Sequence, residues 1–391
     1  MKGNFLRIWV VGLLIIPLIS SQSLSKQSIF PETFKQLKTE RKGKGKEDYR
    51  CNTLLDWLKK EPRFSKVSNF INTDKSLLKY LNDTKKQTTF FAPTNSAISK
   101  FFNENEESPD EERRAPKLRK ALLKILKYHI VPGSFSTQTL KDTRVLKTMA
   151  KEHDLHGEYQ RIRFSYDNQI LKINEVVKVK EVDLRTSNGI IHVVQDLLTE
   201  PLSIADTLIE HPNKFTALNL ALQNTGLNHL LKRNRGLTFL APSNIAFRSL
   251  GCKNLKYLFS PHGEKDLEKI INHHISYKLA YSNDFKHFQY HSLREGNIPE
   301  HRELEREHKH KHKHTFRKSL PTLFGDKLRF EVTHAHSKSA TLWVNRRSRV
   351  LYTDLISRNG VTHVIDRILI PHGLNISNDG WWDDSEYCMN E

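Results

Sequence analysis

Apolar positions recur at helical spacing in two places. Leu122, Ile125, Leu126 and His129 share one helical face, and Leu267, Ile270, Ile271 and His274 repeat that face later in the chain. Leu54, Leu55 and Leu58 mark an amphipathic opening helix, and Phe64, Val67, Phe70 and Ile71 continue a helical layer. Other stretches alternate or run apolar at strand length. Thr88 to Ala92 predicts a strand closed by Pro93, with Thr94 and Asn95 suited to capping the helix that follows. Asn103 to Arg114 reads as a polar loop. Ile162 and Phe164, Leu171 and Ile173, and later Leu328, Phe330 and Val332 alternate as strands do. Val176 to Leu184 leads into Asn188-Gly189, expected to supply the two positive-φ positions of a tight hairpin.

These elements occur twice in the same order. Asn188-Gly189-Ile190-Ile191-His192-Val193-Val194 returns as Asn359-Gly360-Val361-Thr362-His363-Val364-Ile365. Thr89-Phe90-Phe91-Ala92-Pro93-Thr94-Asn95 returns as Thr238-Phe239-Leu240-Ala241-Pro242-Ser243-Asn244. Tyr128-His129-Ile130 matches His273-His274-Ile275, and the openings Leu54 to Leu58 and Ser203 to Leu208 match as well. Four matched blocks in order make a duplication.

The Thr-Phe-x-Ala-Pro-[Thr/Ser]-Asn block, the histidine at a helix end and the Asn-Gly-x-x-His-Val block resemble the fasciclin-like domain over about Cys51 to Pro371. The resemblance implies an α+β fold of two tandem fasciclin-like domains, each a small β-sandwich or wedge of strands with packed helices. It also implies a module of secreted and cell-surface proteins, used chiefly for adhesion and assembly. In some animal members the tyrosine–histidine region contributes to receptor adhesion, and Tyr128 and His129 match it here. The second copy departs from that pattern, with His273 at the tyrosine position.

The chain of 391 residues suits two domains, and 63 Lys+Arg against 44 Asp+Glu leave it at +19. Lys2, Arg7 and the apolar run Ile8 to Ile19, ending at Ser20-Ser21, predict a cleaved signal peptide over 1–21, which argues against nucleic acid as the partner. No later segment is long and apolar enough to span a membrane. Residues 22–50 read as a disordered basic arm, 51–200 and 201–372 as the two domains, and 373–391 as an acidic aromatic tail. An insertion at about 289–318 in the second domain carries His308, His310, His312 and His314 between lysines. Three cysteines (Cys51, Cys252, Cys388) allow one internal pair among three pairings. Asn82 and Asn375 open glycosylation signals.

The chemistry-bearing residues are mostly histidines. Pro93, Asn95, His129, Gly189 and His192, with Pro242, Asn244, His274, Gly360 and His363, are expected to be structural. The chain carries no Gly-x-Ser-x-Gly elbow, His-Glu-x-x-His helix or Gly-rich phosphate loop, so no catalytic residues and no cofactor are expected. His308, His310, His312 and His314 are the candidate metal ligands, for weak binding of Zn²⁺ or Cu²⁺, and the same run, with its lysines, is a candidate for weak anionic-surface binding. The function expected is non-enzymatic: a soluble interaction protein of the secretory or vacuolar pathway, with the vacuole first and a protein or glycan partner. The alternatives are an extracellular adhesion protein binding anionic glycans and, with no motif behind it, a hydrolase.

Overall fold

The computed structural model describes residues 52–103, 111–167, 170–285, 313–334 and 340–376. All lie in one compact unit, Asp48–Glu391. The predicted signal peptide and basic arm fall outside the described residues, as does the predicted acidic tail beyond Ile376, whereas Leu374 and Ile376 pack against the second half's core.

Each half opens on short capped helices. The Thr53 hydroxyl accepts the Asp56 N–H while the Asp56 carboxylate accepts the Thr53 N–H, closing a reciprocal cap on the helix Leu54–Lys60. Ser203 caps the helix Ile204–Ile209 in the second half. Seven strands follow in the first half: β1 (Thr88–Pro93), β2 (Ile130–Pro132), β3 (Val145–Lys151), β4 (Tyr159–Asp167), β5 (Ile170–Ile173), β6 (Val177–Thr186) and β7 (Gly189–Val194). They form one sheet in the order β2-β1-β7-β6-β5-β4-β3. The second half repeats it with β8 (Leu237–Pro242), β9 (Ile275–Ser276), β10 (Lys313–Pro321), β11 (Lys327–His334), β12 (Ala340–Val344), β13 (Ser348–Ser357) and β14 (Gly360–Ile365), in the order β10-β11-β12-β13-β14-β8-β9.

Two strand pairs are parallel, β1 with β7 and β8 with β14. Every residue of these four strands is buried. That accounts for their mostly apolar sequence without a polar alternation, since a parallel pair covered on both faces has no solvent side to alternate with. Successive side chains point to opposite faces. Phe90, Ala92, Ile191 and Val193 therefore pack on the helical layer, with Leu58, Val67 and Leu126. Phe91 and Val194 face the sheet's own other strands and meet Phe164, Ile173 and Val179. Phe239 and Ala241 against Leu240 and Ile365 make the same division in the second half.

The hairpins before β7 and β14 differ from expectation by one residue. Thr186 pairs with Gly189 and Ser357 with Gly360, so the turns are Ser187-Asn188 and Arg358-Asn359. Each glycine is instead the first residue of its strand. Gly189 has φ +153, but Gly360 is not in the positive-φ region at all. Both are glycine because the parallel neighbour comes so close. A Cβ at Gly189 would lie 1.8 Å from the Thr88 carbonyl oxygen, and one at Gly360 2.1 Å from that of Leu237. Two other limits shift. The helix Glu111–Tyr128 takes up the end of the expected polar loop, and β10 takes up the end of the expected insertion from Lys313 onward.

The halves lock together. Gln160 Nε2 donates to the Ser357 carbonyl (3.2 Å), and Asn283 Nδ2 to that of Val145 (2.6 Å). The Arg161 guanidinium lies 3.9 Å from the Tyr281 ring centre and that of Arg163 4.2 Å from that of Tyr352. Asp154 takes Arg358 at 2.9 Å and Arg235 at 3.4 Å. Val145, Tyr281, Ile356 and Val361 form a small apolar core of their own at this junction.

Gly360→Ala tests that close approach. Because Gly360 is outside the positive-φ region, an alanine there would carry no left-handed strain, so the clash with the β8 main chain alone predicts a loss of about 1–3 kcal/mol in the second half. Urea denaturation measures it, and an unchanged midpoint would show that β8 and β14 can part freely.

Candidate functional site

The residues of the repeated blocks converge around each closing strand. His129 and His274 are fully buried. His129 Nδ1 lies 2.8 Å from the Ile125 carbonyl, and its Nε2 accepts the Leu198 N–H at 3.0 Å. His274 makes the same two bonds, to the Ile270 carbonyl at 2.7 Å and from the Leu369 N–H at 3.0 Å. A carbonyl only accepts and an amide N–H only donates, so both rings are neutral with the proton on Nδ1. Removal from water pushes His129 down to about 4 and His274 down to about 3, the carbonyl bond offsetting only part of that cost.

His192 and His363 take the other tautomer. Their Nε2 atoms donate to the carbonyls of Phe135 (3.0 Å) and Ala280 (2.8 Å), and their Nδ1 atoms accept the N–H groups of Asp183 and Asp354, both at 3.3 Å. Burial also lowers the His192 pKa. Asp183 and Asp354 are left-handed bulge residues, φ +59 and +60, and each carboxylate accepts a backbone N–H, from Thr137 and Ser282 respectively, at 2.8 Å. Sequence reasoning missed both. Their signal was present, an aspartate nine residues before the histidine in each copy.

The asparagines are spent in the same way. Asn188 Oδ1 accepts the Leu54 N–H at 2.8 Å, and its Nδ2 donates to the Leu81 and Asp83 carbonyls at 2.8 and 3.2 Å. Asn359 repeats this with the Ile204 N–H (2.9 Å) and the Leu231 and Asn234 carbonyls (2.7 and 2.8 Å). Asn95 does not cap its helix; Thr94 offers its hydroxyl to the Ala97 N–H at 3.5 Å, and Ser243 does so for Ala246 at 3.3 Å. Asn95 instead holds the start of the helix Ser65–Ile71, accepting from Lys66 N–H and donating to the Pro62 carbonyl, both at 2.9 Å. Asn244 ties to Ala217 N–H and the Asn213 carbonyl, both at 3.1 Å. Pro93 and Pro242 end their strands opposite Val194 and Ile365.

The two copies part at one place. Tyr128 is buried, with its hydroxyl donating to the Arg161 carbonyl (2.9 Å) and accepting from Asn174 Nδ2 (2.8 Å). The tyrosine–histidine pair is therefore inside the domain. In the second copy His273, also buried, stands there, and a cleft of about 1050 Å³ opens between it, β10–β13 and the segment Leu369 to Ile376.

The remaining candidates stay apart from these groups. His308, His310 and His312 lie outside the described residues, and His314 is a β10 residue opposite Thr333. Among the described residues no group of three or more His, Cys, Asp or Glu is placed to hold a metal ion. Asn82 ends the helix Lys75–Asn82, its Oδ1 accepting from the Thr53 hydroxyl at 3.0 Å; Asn375 is exposed. Cys252 is disulfide-bonded. Cys51 and Cys388 lie outside the described residues.

A family model described as "Fasciclin domain" matches residues 62–200 and 213–371. Transforming growth factor-beta-induced protein ig-h3 of Sus scrofa is 26% identical over 284 residues, covering 72% of this chain and 34% of that protein. The chain thus spans about a third of that relative. Aurofusarin biosynthesis cluster protein S of Gibberella zeae is 25% identical over 336 residues, 82% of this chain and 77% of the relative. Among solved structures, a FAS1 domain pair from the insect cell adhesion molecule Fasciclin I aligns at a TM-score of 0.37 and 18% identity, over 79% of this chain and 97% of that one.

The neutral histidines make stability depend on pH. Unfolded, each takes a proton near pH 6.5; folded, His129 does so only near 4 and His274 near 3. Their contribution is therefore complete above 6.5 and is lost as pH falls through 6.5 toward those values. At pH 5 each domain should have lost about 2 kcal/mol relative to pH 7. Urea midpoints at the two pH values check this, and equal midpoints would contradict the neutral buried rings.

Proposed function

Since the chain belongs to the fasciclin-domain family, we propose that it is a non-enzymatic interaction protein of the secretory route. Two fasciclin modules, residues 51–200 and 201–372, present one fixed pair of surfaces to a protein or glycan partner. Fasciclin domains are adhesion and interaction modules. The observation that carries the reading is that the histidines and asparagines shared by both repeats are consumed by the fold. The ring nitrogens of His129, His192, His274 and His363 all contact main-chain groups. Buried groups so saturated position backbone and leave no free acid, base or nucleophile among them.

The apolar run 8–19 enters the proposal as a cleaved signal peptide, and among the described residues no helix is long and apolar enough to cross a membrane. The vacuole, placed first on the sequence, gains no support from the comparisons. Domains that lose stability below pH 6.5 also suit a near-neutral exterior better than an acidic lumen. The proposed destination is therefore extracellular. The histidine run keeps its weak-metal proposal through His308, His310, His312 and His314.

The test inserts a labelling enzyme between Ser21 and Gln22 of the intact chain in living cells. Labelled neighbours should be dominated by cell-surface and extracellular proteins, and the purified protein should turn over no ester, glycoside or peptide substrate. A set dominated by vacuolar hydrolases would overturn the destination. Turnover abolished by His192→Gln would overturn the non-enzymatic role.

A further inference from the structure

In the first domain, Tyr128, Asn174 and the Arg161 carbonyl form a closed set, with the phenol filling the space between β4, β5 and the helix. Strand pairing fixes the equivalents in the second domain. Phe164 pairs with Ile173 as Phe330 pairs with Val344, so Arg161 corresponds to Lys327 and Asn174 to Asn345. Asn174 and Asn345 are both left-handed, and each accepts a main-chain N–H, from Arg163 at 3.0 Å and Arg329 at 2.8 Å. His273 stands where Tyr128 stood. The shorter ring reaches neither partner position, and all three equivalents, His273, Asn345 and Lys327, line the cleft.

What the cleft holds is chemically specific. His273 is 3% exposed, and its Nδ1 has no hydrogen-bond partner. Asp326 Oδ2 is likewise buried without one, 3.6 Å away, which is too long for a direct hydrogen bond. Both groups lie at the floor of the cleft, with no room for another atom between them. Exposed Lys327, Arg329 and Arg347 rim the opening, while Leu369, Leu374 and Ile376 provide an apolar wall. In the first domain the rim positions are already taken, with Arg161 and Arg163 stacked on Tyr281 and Tyr352 of the following domain.

We propose that this cleft is a binding site for an acidic oligosaccharide. Carboxylates would meet the Lys327, Arg329 and Arg347 rim, and the sugar's C–H face would lie on the apolar wall, above a floor that His273 leaves lower than Tyr128 does in the first domain. The site rests on the proposed interaction role and names the class of partner.

The test is titration calorimetry of the purified full chain with a galacturonate hexasaccharide, with a neutral glucose hexasaccharide and inorganic sulfate as comparisons. The uronate should bind and the other two should not. His273→Tyr restores the residue the first domain uses and should weaken uronate binding at least about ten-fold by filling the space. Arg347→Gln, on an exposed turn, should weaken it about three- to ten-fold. No uronate binding, equal binding by His273→Tyr, or equal binding of the neutral sugar or of sulfate overturns the site. None of these results touches the non-enzymatic role, which the labelling and turnover experiments decide on their own.

Discussion

The structure depends on a parallel strand pair buried on both faces in each domain. β1 and β7 have no solvent side, so their main-chain groups must be satisfied from within the protein. The closeness of the pair excludes a side chain at Gly189 and at Gly360. The residue before each glycine then joins the pair to the helical layer. Asn188 and Asn359 each accept one helix-start N–H and donate to two carbonyls at the end of another helix. An amide is the one short side chain with both an acceptor and two donors. Aspartate would present a second acceptor to carbonyls that already accept, and leucine would leave three main-chain groups bare in the core.

The histidines complete the same arrangement from the other side of each strand. His129 ties a helix end to the chain leaving β7 through the Leu198 N–H. His192 ties β7 to the loop carbonyl of Phe135 and to the bulge at Asp183. Replacing these bonds with water is not open to groups so deeply buried. The protein therefore keeps both rings neutral, and for His129 and His274 the cost falls on stability in acid.

Much of this was legible in the chain. Amphipathic spacing located the faces of Leu122 to His129 and Leu267 to His274, and alternation located β4, β5 and β11. The repeated blocks exposed the duplication and the motif residues. What escaped was the partner of each residue. Asn-Gly is a strong hairpin signal, yet here the turn falls one residue earlier and the glycine serves a neighbour about a hundred residues away in the first copy, Thr88. No local pattern encodes a parallel pairing, because its partners are set by tertiary packing. The left-handed asparagines that do make hairpin turns, Asn174 and Asn345, carry no following glycine and so gave no such signal. The cleft was invisible for a related reason: His273 stood out as a departure from the repeat, but its consequence depends on Asn345 and Asp326, brought beside it only by the sheet.

The duplicated domains differ most where their surroundings differ. In the first, the β4 edge is covered: Gln160 reaches Ser357, and Arg161 and Arg163 stack on tyrosines of the next domain. The corresponding residues of the second are Asp326, Lys327 and Arg329, which line a cleft instead. A neutral amide suits an edge that must give up its water to a protein neighbour, whereas charges suit an edge that keeps it. Filling the adjacent space with a tyrosine stiffens the covered edge, and leaving it open with a histidine makes room at the other. The exchanges of Gln160 for Asp326 and of Tyr128 for His273 therefore go together: the first copy uses the start of β4 to join its twin, and the second leaves the matching stretch of β11 lining a cleft.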